Sequence, residues 1–374
     1  MSFAAPVTQE RKSVNNLPLV QGSGSTAAAA VWRSIIANAS ATGNAPISLT
    51  YDAVGSGQGQ KNLFNRAYDY AVSDVPIPRS TYTDLDRKTV QMPFAISALD
   101  AVYSIPGLSQ PLKLNPAVLG GIFQCTITRW DDPALRAINA EIRLPSADIY
   151  PVVRVDSSGS TELLTNYLAT DMGWSLGVGK SIAWPKCAKQ VQGTDGILAY
   201  LGSQSNAIGY AEYGLAKVQG VPLASMQNAA GYYVQPSEVV NNWNITEVFG
   251  NDFSIPDSLV SAAWANVSLF QSKQPKVFPI SGLEYLNMDQ NLTSKGYPQG
   301  LILKELAEYT LTAGVQKLLK SWYFGALPAK IANVARTDMK NILVQRRPLS
   351  ADADNLPVTW INVYDPVNSS SINL

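Results

Sequence analysis

The chain has 374 residues, enough for two lobes that each bury a core. Lys plus Arg and Asp plus Glu both total 28, so the formal net charge is zero and a polycationic nucleic-acid-binding surface is excluded. Histidine is absent, which excludes Ser-His-Asp and Cys-His catalysis and every His-ligated metal site. Charged residues make up only 15% of the chain, and we interpret this low share as typical of a secreted protein.

The first part of the chain alternates predicted strands and helices. A polar arm occupies residues 1–16. Strands are predicted at 17–21, 47–53 and 71–75, and helices at 26–39 and 58–70. This β-α-β-α-β order predicts an α/β lobe with a mainly parallel sheet.

Two turns rich in glycine and serine precede these helices. Residues 22–26 read Gly-Ser-Gly-Ser-Thr, and residues 55–59 read Gly-Ser-Gly-Gln-Gly. A helix N-terminus carries unpaired N–H groups and partial positive charge, so such turns suit an oxyanion. The alternative is an ordinary helix cap. The second turn lacks the Gly-Lys-Ser/Thr ending of a nucleotide phosphate loop.

A carboxylate follows the third predicted strand. Asp74 would repel a fully ionised anion, so in an anion site it makes sense only if the ligand keeps a proton to donate. Hydrogen phosphate keeps such a proton at neutral pH, and sulfate does not. The alternative is that Asp74 caps a turn before Pro76.

A second α/β region follows an apolar, β-rich run at 94–105. Helices are predicted at 115–123, 161–170 and 196–201, and strands at 149–155 and 207–210. Residues 220–275 are rich in loop formers. Beyond them we predict a strand at 277–285, helices at 300–312, 315–322 and 330–342, and a surface-wrapping extension over 343–374 with a strand-like patch at 358–363.

The most specific turn lies at residues 154–160, which read Arg-Val-Asp-Ser-Ser-Gly-Ser. Arg154 at a strand end supplies a rigid fork for a tetrahedral oxyanion. Asp156, two residues further on, points to the same side and can hold that fork. The following Ser-Gly-Ser turn offers hydroxyls and N–H groups at a helix start. The alternative is a surface ion pair beside a helix cap.

The chain contains two cysteines, Cys125 and Cys187. Two thiols cannot build a four-thiolate zinc site, so they form either a pair of buried thiols or one disulfide in an oxidising compartment. The low charge favours the disulfide. Five Asn-x-Ser/Thr sequons permit glycosylation in a secretory pathway: Asn38, Asn244, Asn266, Asn291 and Asn368.

Targeting signals are not visible in the sequence. Residues 1–20 show no basic segment followed by an apolar one, so no signal peptide is recognised. No apolar run reaches the ~18 residues of a membrane span. We therefore expect either a cytosolic chain or one whose signal has been removed, and the composition favours an extracytoplasmic location.

Eight segments together resemble the PstS-type phosphate-binding proteins of phosphate ABC importers. They occur in the family's order at 22–26, 51–59, 71–76, 119–123, 129–133, 152–161, 194–197 and 207–213. The resemblance implies the two-lobed α/β fold of periplasmic binding proteins, with crossover strands as a hinge and phosphate in the interlobe cleft. It gives lobe I as 17–95 and 276–342 and lobe II as 96–275, between an arm at 1–16 and an extension at 343–374.

The resemblance also implies roles for individual residues. Asp74 would accept the phosphate proton, and Arg154, steadied by Asp156, would pair with the anion. Hydroxyl or backbone N–H groups for the same ligand would come from three turns, at Thr26, Ala27, Ser56, Ser158, Gly159 and Ser160.

The sequence departs from the family at two positions. Ala27-Ala28 replaces the usual Phe-Pro, so an aromatic wall is lost although a backbone contact can remain. Ser160 replaces the usual Thr and keeps the hydroxyl.

The resemblance implies a phosphate-binding protein that is not an enzyme and needs no cofactor, with an ABC-transporter membrane component as its partner. Two alternatives stay open. A phosphatase on this scaffold would need a nucleophile with its base, or metals, and the sequence offers neither. An extracellular structural glycoprotein that self-associates through its tails would fit the sequons and the extension.

Overall fold

The computed structural model describes residues 17–78, 88–108, 110–236, 256, 264, 277–346, 359–361 and 363. The strands are β1 Leu19–Gly24, β2 Ser48–Ala53, β3 Tyr70–Ser73, β4 Thr89–Tyr103, β5 Lys113–Leu114, β6 Tyr150–Arg154, β7 Lys189–Val191, β8 Ala207–Glu212, β9 Ser225–Gln227, β10 Tyr233–Val234 and β11 Ser281–Asp289.

Helices flank these strands. They are α1 Ala29–Ala41, α2 Ser56–Phe64, α3 Pro116–Phe123, α4 Pro133–Ile138, α5 Gly159–Leu168, α6 Gly193–Ser203, α7 Tyr213–Val218, α8 Gln299–Thr310, α9 Ala313–Ser321 and α10 Ala329–Asp338. Short 3-10 turns lie at Thr293–Lys295 and Met339–Asn341.

Within the described residues the main sheet has eight strands in the order β2-β1-β3-β11-β4-β8-β6-β7. Its two outer parts are parallel: β1 pairs with β2 and β3, and β6 pairs with β7 and β8. The central strands β4 and β11 are antiparallel to their neighbours. This topology confirms the predicted α/β fold with crossover strands between two halves. The lobe boundaries stay a prediction.

Two large apolar clusters cover the sheet. One surrounds Trp32, whose ring lies 5.1 Å from that of Phe94, and includes α1, α8 and α10. The other surrounds Phe123 and includes α3, α5 and β8. Every residue of β4 and of β11 is buried, because both strands have neighbours on each side and packing on both faces.

Most predicted elements exist, but several ends differ. Helix α1 begins at Ala29 rather than residue 26, because the Ser25 hydroxyl accepts a hydrogen bond from the Ala28 N–H and forms a turn first. Helix α2 begins at Ser56 and ends at Phe64, short of residue 70. Arg66 beyond it has a left-handed backbone, with φ 57°, which breaks the helix.

The strand-like patch at 358–363 is wrong where the structure describes it, at 359–361 and 363. These residues form no strand, and Trp360 and Ile361 are buried in the first cluster rather than wrapped over the surface. Their N–H groups both donate to the Glu305 carboxylate, and the Trp360 carbonyl accepts from Asn44. Side-chain and backbone polar bonds therefore fix this segment without strand pairing.

Candidate anion-binding site

The three predicted turns meet at one edge of the sheet. They lie where β1, β3 and β6 end and where α2 and α5 begin, which is the edge at which open α/β sheets bind ligands. Two contacts join the turns from opposite halves. The Ser160 hydroxyl lies 3.2 Å from Asp74 Oδ2, and the Thr26 and Thr194 hydroxyls lie 3.1 Å apart.

Arg154 and Asp156 form a buried ion pair at the end of β6. Arg154 Nε donates to Asp156 Oδ1 at 2.7 Å, and Nη2 pairs with Oδ2. Arg154 Nη1 also donates to the Thr194 hydroxyl at 3.2 Å. The Arg154 side chain is only 2% exposed. The pair is therefore not the surface ion pair of the alternative interpretation.

Asp156 is held from a second direction. The Gly193 N–H, at the start of α6, donates to Asp156 Oδ1 at 3.0 Å. Burial alone would raise the pKa of Asp156, but the hydrogen bond and the charge of Arg154 outweigh it and hold that pKa below its usual value. The carboxylate therefore stays charged and fixes the guanidinium fork.

Asp74 and Ser56 form the opposite side of the site. Ser56 is the first residue of α2 and its hydroxyl accepts from the Asp74 N–H at 3.3 Å. Asp74 is 4% exposed. Its Oδ2 accepts from Ser160, whereas its buried Oδ1 has no hydrogen-bond partner among the described residues. Asp74 is thus a buried acceptor that is only partly satisfied.

Helix α5 supplies the third turn. Its N-cap is Ser158, whose hydroxyl accepts from the Thr161 N–H at 3.2 Å, while the Ser158 N–H donates to the Lys180 carbonyl. Ser158 therefore serves mainly as a helix cap, as the alternative interpretation has it. Gly159 follows at the closest approach of the two halves. A Cβ there would lie 2.7 Å from Ser56 Oγ and 2.8 Å from Asp74 Oδ2, so only glycine fits without a shift.

The remaining predicted positions lie in the turn between β1 and α1. Ala27 is buried there, next to Thr26, whose hydroxyl also accepts from the Thr194 N–H at 3.2 Å. The structure thus brings together all nine predicted phosphate-site residues around one edge of the sheet. Their role in binding stays a prediction.

The sequence analysis missed three residues around this site. Thr194 bridges Arg154 and Thr26, and its signal is a further Gly-Thr pair before a helix. The Tyr210 hydroxyl accepts from the Arg154 N–H at 3.1 Å. Lys180 donates to Gln60 across the cleft at 2.6 Å. A tyrosine on a buried strand and a lysine in a loop carry no comparable local signal.

The cysteines lie outside this site. Cys125 and Cys187 form a disulfide across 62 residues of sequence, which confirms the prediction of a bridge. Of the sequons, Asn38 and Asn291 are exposed. Asn244, Asn266 and Asn368 lie outside the described residues. Glycosylation therefore stays a prediction at all five.

The described part of the chain offers no other obvious chemistry. It contains no group of three or more acidic or cysteine side chains placed to hold a metal ion. None of its helices combines the length and the apolarity needed to cross a bilayer.

Comparison with known proteins defines the class. A family model described as a PBP superfamily domain matches residues 5–271, which is more than half of the chain. The chain therefore belongs to the PBP superfamily.

Relatives within the class bear one name. The phosphate-binding protein PstS of Pasteurella multocida is 36% identical over 200 residues, or 52% of this chain and 56% of that protein. The PstS of Methanocaldococcus jannaschii is 28% identical over 304 residues, or 77% of each chain. This chain thus spans little more than half of the first relative. The resemblance to PstS-type proteins is confirmed.

Solved structures agree on the fold. A high affinity periplasmic phosphate-binding protein bound with phosphate superposes with a TM-score of 0.67 at 20% identity, covering 92% of this chain and 96% of that one. At this identity the match confirms the two-lobed periplasmic-binding-protein fold and carries no argument about residues.

Proposed function

We propose that this chain binds inorganic phosphate, as hydrogen phosphate, between the turns that carry Arg154 and Asp74. The observation that carries the proposal is the pairing of opposites in one buried site. A fixed guanidinium faces an anion ligand, and a carboxylate with a free buried oxygen requires a proton from that ligand. The names of the relatives, which are phosphate-binding proteins, support the same ligand.

In this proposal the anion lies among three turns. Arg154 supplies charge, Asp74 accepts the ligand proton, and Thr26, Ser56 and Ser160 donate hydroxyl hydrogen bonds. Backbone N–H groups at Ala27 and Gly159 complete the shell. Asp156 orients Arg154, and Ser158 builds the turn.

The biological setting belongs to the same proposal. The protein would capture phosphate outside the cytoplasm and hand it to an ABC-transporter membrane component, without catalysis. The names and titles of the relatives, which include a periplasmic phosphate-binding protein, support this setting. Self-association through the tails would be a separate property.

Isothermal titration of anion-free protein with phosphate and with sulfate tests the ligand. We expect phosphate to bind and sulfate to bind at least ~100-fold more weakly, which corresponds to about 2.7 kcal/mol. Absence of phosphate binding to folded protein would overturn the proposal. Equal binding of both anions would remove Asp74 from the role of proton acceptor.

The variant Asp74→Asn sharpens this test. Its amide can donate to a fully ionised anion, so we expect sulfate to bind more tightly and the preference for phosphate to fall by roughly tenfold or more. The matched control is Asp148→Asn, because Asp148 is an exposed carboxylate paired with Arg129 on the surface. Equal loss of preference in both variants would contradict the assignment.

A further inference from the structure

A second buried carboxyl group lies beside Asp74. Strand β11 pairs with β3 in antiparallel register, with Leu286 opposite Val72 and Tyr285 opposite Ser73. The same register continued by one residue sets Glu284 opposite Asp74, and side chains of opposed residues share a face of the sheet. A Cβ on Gly282, two residues before Glu284, would lie 3.4 Å from the Asp74 carbonyl oxygen, which confirms that the two segments stay in contact.

Both carboxyl groups are short of donors. Glu284 is fully buried, at 0% exposure, and neither of its oxygens has a hydrogen-bond partner among the described residues. The same holds for Asp74 Oδ1. Ionised carboxylates are acceptors only, so two of them facing each other in the interior repel and leave three buried acceptors unsatisfied. One proton between them removes both problems.

The surroundings decide which group carries that proton. Asp74 and Glu212 face Glu284 with negative charge, and Tyr51 is the other titratable group that interacts with it. Burial first, and then the charge of Asp74, raise the pKa of Glu284 well above its usual range. Asp74 in turn receives a hydroxyl hydrogen bond at Oδ2 from Ser160. Glu284 therefore holds the proton.

We propose that Glu284 is a neutral carboxylic acid whose O–H donates to Asp74 Oδ1 and thereby sets Asp74 as the proton acceptor for the bound anion. This inference rests on the proposed function. With Oδ1 occupied, Asp74 keeps its charge and presents Oδ2, beside Ser160, to the ligand. A ligand without a proton meets that charge and is rejected. Glu284 is thus a positioning residue for selectivity and does not itself touch the ligand.

Two substitutions at Glu284 separate its donor from its bulk. Glu284→Gln keeps an N–H donor of the same shape, whereas Glu284→Leu keeps the volume and removes the donor. Under the inference, Glu284→Gln retains the preference for phosphate over sulfate. Glu284→Leu lowers phosphate affinity or that preference by about tenfold to a hundredfold, as expected for losing a hydrogen bond to a charged group. Equal behaviour of the Gln and Leu variants would overturn the inference.

Infrared difference spectra test the proton directly. The wild-type protein at neutral pH should show the carbonyl stretch of a protonated carboxylic acid, and Glu284→Gln should lack that band. A band unchanged in Glu284→Gln would overturn the inference. This measurement needs neither the Leu variant, should it fail to fold, nor any ligand. Wild-type protein that shows the Glu284 band but binds no phosphate would overturn the proposed function and leave Glu284 as a neutral acid without a selective role.

Discussion

The two sides of the cleft differ in how completely their buried charges are satisfied. On one side, Arg154 is held by both oxygens of Asp156 and by Thr194, and Asp156 receives a further bond from Gly193. On the other side, Asp74 keeps one oxygen without a partner among the described residues, and Glu284 keeps two. One side is a finished network, and the other has acceptors in excess of donors.

The difference teaches how one site can separate affinity from selectivity. A fully paired guanidinium has a fixed position and attracts any anion, because its charge does not depend on the ligand. A buried acceptor without a donor is costly until a proton arrives, so it rewards only a ligand that carries one. Under the proposed function, the Arg154 side provides strength and the Asp74 side provides discrimination.

Removing the guanidinium should have the largest effect. Arg154→Ala deletes the ligand's charge partner and leaves Asp156 buried without its cation. Truncating one partner of a buried charge pair costs about 2–5 kcal/mol, or roughly 30-fold to several thousand-fold in the dissociation constant. Titration with phosphate measures this loss, which we expect for sulfate as well, because this side does not discriminate.

Arg129→Ala is the matched control for that experiment. Arg129 also pairs with two carboxylates, Asp131 and Asp148, but it lies on the surface with a side-chain exposure of 45%. Exposed pairs contribute little, about 0–1 kcal/mol, so its phosphate affinity should match the wild type. A weak effect of Arg154→Ala, similar to this control, would place the anion away from Arg154.

Closing the gap between the two sides should have the next largest effect. Gly159→Ala introduces a Cβ that meets Ser56 Oγ at 2.7 Å and Asp74 Oδ2 at 2.8 Å. Overpacking of this kind costs about 1–3 kcal/mol, or roughly 5-fold to 150-fold in phosphate affinity if it holds the halves apart. Titration and a thermal melt together distinguish lost binding from lost folding.

The control is Gly202→Ala in α6. A Cβ at Gly202 meets nothing within 4 Å, so the substitution should leave binding unchanged and stabilise the helix by up to ~1 kcal/mol. Wild-type affinity in Gly159→Ala would show that the two sides need not approach as closely as the structure has them.

The local parts of the site could be predicted from the sequence. Arg154 and Asp156 are two residues apart on an extended chain, so their common side follows from strand geometry alone. The small residues of the three turns reflect close backbone approach, and Gly159 shows this most directly. Each of these features depends on neighbours within a few positions.

Contacts between distant segments could not be predicted. Thr26 and Thr194 are 168 residues apart in sequence, and Glu284 reaches Asp74 only through the β3–β11 register. In the sequence Glu284 is one charge within an otherwise apolar strand. The patch around Trp360 was misjudged for a related reason, because alternation indicates burial on one side but does not reveal that Glu305 replaces a strand partner.

The smallest expected effect on binding comes from a buried acid outside the turns, Glu212. Burial raises the pKa of Glu212 to about 8, although its carboxylate accepts from the Gly214 and Leu215 N–H groups and caps α7. The unfolded chain releases this proton near its ordinary value of 4.5. Between these two values the folded state binds the extra proton, so stability falls as pH rises through this window.

Glu212→Gln should therefore flatten the fall of the melting temperature between about pH 4.5 and about pH 8. The amide has one acceptor oxygen in place of two, so the variant should lose about 1 kcal/mol at the acidic end and match or exceed the wild type at the alkaline end. Part of the slope should remain, because Glu284 acts in the same direction. Glu141→Gln is the control, since the hydrogen bond from Lys113 lowers the pKa of that exposed carboxyl below the window. A slope that Glu212→Gln leaves unchanged would show that Glu212 is already ionised in the folded protein, and the acceptor excess at the centre of the sheet would then be borne by Glu284 and Asp74.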